Sequence, residues 1–150
     1  MAEKSAEAAR IRQLVEQFHR RLSSIDIAAL EKPQTIGEWS IRDLIAHLIF
    51  WQDECAWVFT STVDGSYERR DYSASGDVNA EAVRRYAHLS TDEALESIRS
   101  TGLRVADLIE EVDEDLWEER KNRLAGWVEA TIPKHYSEHE ADLEVALKTD

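Results

Sequence analysis

Helix-breaking residues are scarce in this chain, and their scarcity limits what it can fold into. Only five glycines and two prolines occur among 150 residues, so few positions suit the tight turns that join short strands. Apolar side chains instead recur at helical spacing, as at Ile11, Leu14 and Phe18. The pattern predicts an all-α protein, a four-helix bundle with one or two longer crossovers, folded as a single domain over residues 1–150.

The first two helices have the clearest limits. The apolar period of the first helix covers residues 4 to about 24. Ser40 is a favourable N-cap and Asp43 stands at the capping-box position, so a second helix is predicted from Ile41 to about Thr60. About 20 residues at about 1.5 Å each span about 30 Å, the length of a bundle helix.

A long polar segment separates the second helix from the third. The stretch Ser61–Asn79 shows neither a helical nor a strand period, and loops of this length are often functional. A third helical region opens near Asn79 and is interrupted before Ser90, which forms a second capping box with Glu93. It then continues to about Val112.

The last helix has an ambiguous beginning. It starts between Asn122 and Thr131 and runs to about Leu147. Pro133 is tolerated best in a first helical turn. It therefore marks either the true start, with Thr131 as the cap, or a kink in a helix that begins earlier.

Charge and cysteine content exclude several classes of function. The formal net charge of -13 repels phosphate backbones, so nucleic acid is not an expected partner. No apolar run is long enough to span a membrane, and the N-terminus does not resemble a signal peptide. A single cysteine, Cys55, fits a reducing compartment. We therefore expect a cytoplasmic protein without membrane association.

Three histidines lie on the apolar faces of two predicted helices. His135 and His139 are four residues apart, so their rings stack on successive turns of the last helix, and His47 lies on the core stripe of the second helix. A buried imidazole is costly without a partner. Three that face one bundle interior suit a divalent metal such as Zn, Ni or Fe, with a fourth position left open.

The same residues also have less specific interpretations that involve no metal site. Pairs of histidines four residues apart also occur by chance in helices. His135 and His139 could then lie at an interface, hydrogen-bonded to Glu138 or Glu140. Trp51, one turn beyond His47, is either the wall of a pocket or ordinary core.

Two segments resemble a known pattern. The stretch GEWSIRDLIAHLIFWQDE resembles the DinB/YfiT-like superfamily, in which a Trp-Ser cap precedes a helix with a metal-binding histidine. HYSEHEADLE is most similar to the DfsB/ClbS-like branch of four-helix bundle proteins. The resemblance implies an up-down-down-up bundle with a metal held by His47, His135 and His139. It also implies relatives that include thiol-dependent transferases and isomerases and a hydrolase of electrophilic cyclopropanes.

These patterns predict a metal-dependent hydrolase or a thiol-dependent transferase acting on small electrophilic substrates. A bound metal would activate water or a low-molecular-weight thiol as a Lewis acid. Glu54 or Asp53 would serve as general base, and Trp51 and Tyr136 would form the substrate pocket. The loop Ser61–Asn79 would border or gate that pocket.

Two other functions stay open at this point. An acidic bundle could bind and sequester a small toxic molecule in its central cavity without turnover. It could also be a structural module that pairs as a homodimer and whose histidines merely pack.

Overall fold

The computed structural model describes residues 2–73 and 77–148, and these residues form an all-α bundle. Four long helices make the frame, and four shorter helices connect them. In chain order the helices are α1 (Ala2–Ser23), α2 (Ile27–Glu31), α3 (Ile41–Asp64), α4 (Val78–Arg85), α5 (Thr91–Glu111), α6 (Glu114–Glu119), α7 (Lys121–Thr131) and α8 (Pro133–Lys148). The predicted fold class is confirmed.

Helix α5 packs against both α1 and α3, while α7 contacts α3 and α8, and α8 also contacts α1. The long helices each contribute side chains to one apolar core, including Ile11, Leu48, Ile98 and Leu143, which are nearly inaccessible to solvent. Their spacing follows the helical period of the sequence. Within the described ranges, each helix is too short or too polar to cross a membrane.

Local signals determine both ends of α3. The Ser40 hydroxyl accepts a hydrogen bond from the Asp43 backbone N–H at 3.0 Å, and the Asp43 carboxylate accepts one from the Ser40 N–H at 3.0 Å. This is the predicted capping box. Gly65 caps the C-terminus of the helix in the left-handed conformation, with φ 80°. The helix therefore runs to Asp64, one turn beyond the predicted end at Thr60.

The third helical region is two helices, α4 and α5, separated before Ser90 as predicted. Ser90 and Glu93 form the second capping box, with hydrogen bonds of 2.8 and 3.1 Å. The loop before α4 is shorter than the predicted Ser61–Asn79, because α3 extends into it and α4 begins at Val78. Residues 74–76 of that loop lie outside the described residues.

The predicted last helix is also two helices. Helix α7 ends at Thr131, and α8 begins at Pro133, with Ile132 between them at φ -113° and ψ -73°. A proline in the first turn loses nothing, since its missing N–H would have no helical acceptor there. Thr131 is thus the last residue of α7 rather than the cap of α8. This break starts α8 two residues before His135.

Candidate metal centre

The structure brings together the three histidines that the sequence singles out. His47 lies in the second turn of α3, and His135 and His139 lie in successive turns of α8. Their ring centroids are 4.7 Å apart for His47 and His135, 5.3 Å for His47 and His139, and 4.7 Å for His135 and His139. The candidate ligand nitrogens all lie within 4.8 Å of one another. The side chains are buried or half-buried, as expected for a site inside a bundle.

Hydrogen bonds orient these rings. The Nε2 atoms of His47 and His135 face each other at 2.8 Å, and the Nδ1 of His139 lies 2.8 Å from the Asp142 carboxylate. Because a carboxylate accepts, His139 donates from Nδ1 and keeps the Nε2 lone pair for the cluster. The Nδ1 of His47 is buried and lacks a close hydrogen-bond partner among the described residues. Three imidazoles with candidate nitrogens this close together are a donor set that suits Zn, Ni or Fe.

Two of the histidines are held neutral. Burial, reinforced by the neighbouring rings of His135 and His139, lowers the pKa of His47 to about 3, against a smaller opposing effect of the Asn79 side chain. Burial and His139 lower the pKa of His135 to about 4, opposed by Glu138 and by a hydrogen bond to the Thr131 backbone. Both rings therefore carry a lone pair at neutral pH, the form that binds a metal.

Trp39 covers one side of the cluster. Ile36 and Trp39 exchange backbone hydrogen bonds of 2.8 and 2.9 Å across a tight turn in which Gly37 has φ 59°. The turn sets the indole of Trp39 at 5.2 Å from the His47 ring, centroid to centroid. In the sequence this tryptophan belongs to the Trp-Ser cap that precedes α3. Its contact with His47 depends on how the turn folds back onto α3.

A cavity of about 770 Å³ opens beside the histidines. His135 forms part of its wall, and the remaining wall comes from α3, α7 and the segment after α3. Its principal lining residues are Trp51, Tyr67, Arg69, Arg123 and Trp127. A second cavity of about 640 Å³ shares several of these residues and continues past Tyr72. Together they form an aromatic groove that reaches the edge of the histidine cluster.

The two residues predicted to form the substrate pocket lie in different places. Trp51 lines the groove, with its ring centroid 6.3 Å from that of Trp127. Tyr136 is only 4 % exposed and is stacked on Phe18 at 4.2 Å. Its hydroxyl donates to the side-chain oxygen of Gln52 inside the core. Because Tyr136 follows His135 directly, the helical rotation of about 100° between neighbours turns it away from the groove.

The predicted general bases have other partners. Glu54 is buried and accepts hydrogen bonds from the Arg70 guanidinium at 2.7 and 3.0 Å. Asp53 accepts a hydrogen bond from the Tyr86 hydroxyl at 2.5 Å. Neither carboxylate is among the residues that line the groove. The structure thus assigns Glu54 to anchoring the segment after α3 and Asp53 to holding the end of α4.

The cysteine thiol of this chain is inert. Cys55 is fully buried, and burial raises its pKa to about 12, against a smaller effect of a hydrogen bond with Thr131. A thiol with so high a pKa is not a nucleophile at neutral pH. Thiol chemistry at the groove would require a thiol supplied from outside the chain.

Comparison with known families identifies the family of this chain. Residues 11–146 match the family described as mycothiol maleylpyruvate isomerase N-terminal domain. The chain belongs to this family. The family lies within the DinB/YfiT-like superfamily that the sequence resembles, although the match does not single out the DfsB/ClbS-like branch. No curated protein and no solved structure gives a match.

Proposed function

We propose that this protein is a metal-dependent enzyme that adds a low-molecular-weight thiol to a small electrophilic substrate, with the thiol proton released to solvent. A transferase would keep the new C–S bond, and an isomerase would break it again to release the thiol. The observation that carries the proposal is the convergence of three histidines, two of them held neutral, beside an aromatic groove whose wall includes His135. Bundle proteins often build metal sites from side chains on facing helices.

The histidines fit the metal by number, type and protonation. His47, His135 and His139 would hold a divalent ion, and three protein ligands leave a position open. When bound, such an ion supplies Lewis-acid activation of a thiol or of water. The burial that lowers the pKa of His47 and His135 keeps protons from competing for the ligating nitrogens. Asp142 holds the ring of His139 in one tautomer.

An external thiol agrees with two observations. The name of the family pairs mycothiol with an isomerase, and the one cysteine of this chain is buried with its pKa raised. We infer that the thiol enters the groove from solvent, since the chain supplies none at that surface. Hydrolysis, in which water replaces the thiol, is the second reaction that the same site would support.

The groove binds and orients the substrate in this proposal. The rings of Trp51 and Trp127 offer apolar surface and displace water from the reacting atoms. Arg70, held by Glu54 and stacked 3.5 Å from the centre of the Trp57 ring, ties the segment that carries Tyr67 and Arg69 to α3. Orientation beside His135 would raise the effective concentration of the reactants.

Metal analysis tests the first half of the proposal. The full chain, purified without a histidine tag, should retain close to one equivalent of metal, measured by mass spectrometry of the elements. The His135→Ala and His139→Ala variants should retain much less. His88→Ala, which changes an exposed histidine outside the cluster, is the matched control. Wild-type protein with no more metal than the cluster variants would refute the proposed centre.

A turnover assay tests the second half of the proposal, the catalysed reaction of a thiol with an electrophile. The protein is incubated with mycothiol and a model electrophile, 1-chloro-2,4-dinitrobenzene, and the adduct is followed by mass spectrometry. The proposal expects many equivalents of adduct per protein, dependent on the thiol and on the metal. Capture of a single equivalent without turnover would instead support a sequestering protein, for which the groove would serve as the binding surface.

A further inference from the structure

Among the described residues, Arg123 has no carboxylate as an ion-pair partner, whereas Arg12, Arg70 and Arg99 each have one. Arg123 lies in the first turn of α7 and lines the groove. One terminal nitrogen contacts the Thr62 hydroxyl oxygen at 3.2 Å, and its guanidinium carbon lies 4.0 Å from the centre of the Tyr67 ring. Within residues 2–73 and 77–148, the ion pairs of the structure include no carboxylate bound to Arg123. Both contacts are neutral, so among these residues no carboxylate compensates the positive charge of Arg123 at ion-pair distance.

The acidic composition of the chain makes the neutral contacts of Arg123 informative. Asp and Glu number 31 against 18 for Lys and Arg, so carboxylates are abundant around most cations. Arg12 contacts both Glu110 and Asp107 at 2.9 Å, and Arg70 contacts the buried Glu54. An arginine that borders a cavity without such a partner has most of its five N–H donors available to a ligand.

A second arginine borders the same groove. Arg69 is exposed and lines both cavities, and its charge lowers the pKa of Asp71 as a minor effect beside the hydrogen bonds from Ser73. The first turn of α7, where Asn122 and Arg123 lie, adds the positive end of a helix dipole to this side of the groove. Arg69, Arg123 and the start of α7 therefore bring positive charge to the groove of an acidic protein, and the second cavity also carries the carboxylate of Asp71 on its wall.

Aromatic rings form much of the remaining wall of the groove. The ring centroid of Tyr72 lies 4.9 Å from that of Trp51 and 6.1 Å from that of Trp127. These faces suit a flat, conjugated body rather than a flexible aliphatic one. A volume of about 770 Å³ lies in the range of pockets that bind drug-sized molecules. A short aliphatic acid would fill only a small part of this volume.

We infer that the groove binds a flat aromatic carboxylate. The carboxylate lies against Arg123 and Arg69, and the ring system lies against Trp51 and Trp127, beside His135. The inference rests on the proposed function only for the reaction that the bound carboxylate would undergo. Binding itself needs no metal, because neither arginine nor the tryptophans belong to the histidine cluster.

Isothermal titration calorimetry with 2-naphthoate tests this inference on the full chain, both metal-free and loaded with zinc. We expect saturable binding in both forms. The uncharged analogue 2-naphthylmethanol should bind at least about 10-fold more weakly, because it lacks the charge-assisted hydrogen bonds. Maleate, a small aliphatic dicarboxylate, should bind more weakly than 2-naphthoate, because it leaves the aromatic walls uncovered.

Substitutions locate the site. Arg123→Gln should weaken 2-naphthoate binding about 10- to 100-fold and leave 2-naphthylmethanol unchanged. Arg69→Gln should act in the same direction and serves as the second variant if Arg123→Gln does not fold. Arg104→Gln, on the exposed face of α5, makes the same change in net charge and should have no effect.

Three results would overturn the inference. They are equal affinities for 2-naphthoate and 2-naphthylmethanol, maleate binding as tightly as 2-naphthoate, and equal effects of Arg104→Gln and Arg123→Gln. Failure of zinc binding with intact naphthoate binding would refute the proposed metal centre but not the anion site. Zinc binding without naphthoate binding would refute the anion site alone.

Discussion

His139 donates its Nδ1 proton to the carboxylate of Asp142 at 2.8 Å, across one turn of α8. The bond fixes the tautomer of the ring, so that Nε2 carries the lone pair. Carboxylates that orient a ligating histidine in this way raise its basicity and restrict its rotation. Asp142 is itself partly exposed, and the pair lies at the edge of the site.

Asp142→Asn should therefore weaken zinc binding about 10- to 100-fold. An amide can still meet the ring, but it carries no charge and can present a donor instead of an acceptor. The measurement is competition for zinc with a fluorescent chelator. Glu144→Gln, on the same helix and paired with Arg21, removes the same charge and should leave zinc affinity unchanged. Equal losses in both variants would assign the effect to net charge.

The stability of the zinc-free protein should fall as the pH falls from 6.5 toward 4. A histidine in the unfolded chain titrates near 6.5, whereas burial lowers the pKa of His47 to about 3 and that of His135 to about 4. Above pH 6.5 both rings are neutral in the folded and in the unfolded chain, so their titration does not reduce the free energy of unfolding. Below it the unfolded chain binds protons that the folded protein does not, so unfolding becomes more favourable.

Thermal melts in a chelator between pH 7 and pH 5 measure this effect. His135→Gln should lose less stability than the wild type over that interval, by about 1 kcal/mol. His88→Gln, which changes an exposed ring, should follow the wild-type curve. Parallel curves for wild type and His135→Gln would mean that His135 is not held neutral by its surroundings.

Local signals made much of the frame predictable. The two capping boxes, at Ser40 and Ser90, require residues only three positions apart, and both helix starts agree with the sequence. The histidine cluster followed from helical period, because the period places His47, His135 and His139 on core-facing stripes. The end of α3 was missed because its last turn is polar, although the glycine at position 65 is a typical C-terminal signal.

Contacts between distant segments could not be predicted in the same way. Arg123 and Trp127 border the same groove as Trp51 only because α7 packs on α3, and no periodicity encodes that docking. The Glu54–Arg70 pair depends on a loop that folds back onto its own helix. Asp142 is different, since its spacing of three residues from His139 is visible in the sequence and predicts contact on a helix.

Tyr136→Phe should destabilise the protein without changing the site. The substitution leaves the side-chain oxygen of Gln52 without the hydroxyl donor inside the core, which costs about 1 to 2 kcal/mol. Denaturant unfolding measures the loss, and zinc content and naphthoate affinity should stay at wild-type values. Trp51→Leu should give the converse result, weaker naphthoate binding with zinc content retained. A changed naphthoate affinity in Tyr136→Phe would instead show that the ring of Tyr136 contributes to the substrate pocket.

Gly102 allows α1 and α5 to approach closely. A Cβ at this position would lie 2.7 and 3.0 Å from the two methyl carbons of Val15, and a β-branched side chain has little freedom to move aside. An alanine would gain about 1 kcal/mol in helix propensity, but the clash in a packed core costs about 1 to 3 kcal/mol. We expect Gly102→Ala to be net destabilising by about 1 kcal/mol.

Gly126→Ala is the matched control, because a Cβ there meets no atom within 4 Å. It should stabilise α7 by about 0.5 to 1 kcal/mol, so the two substitutions should have opposite signs in denaturant unfolding. The double variant Gly102→Ala with Val15→Ala should lose less than the sum of its parts, since removing the methyl groups relieves the clash. Additive losses would show that the crossing of α1 and α5 does not depend on the small residue at position 102.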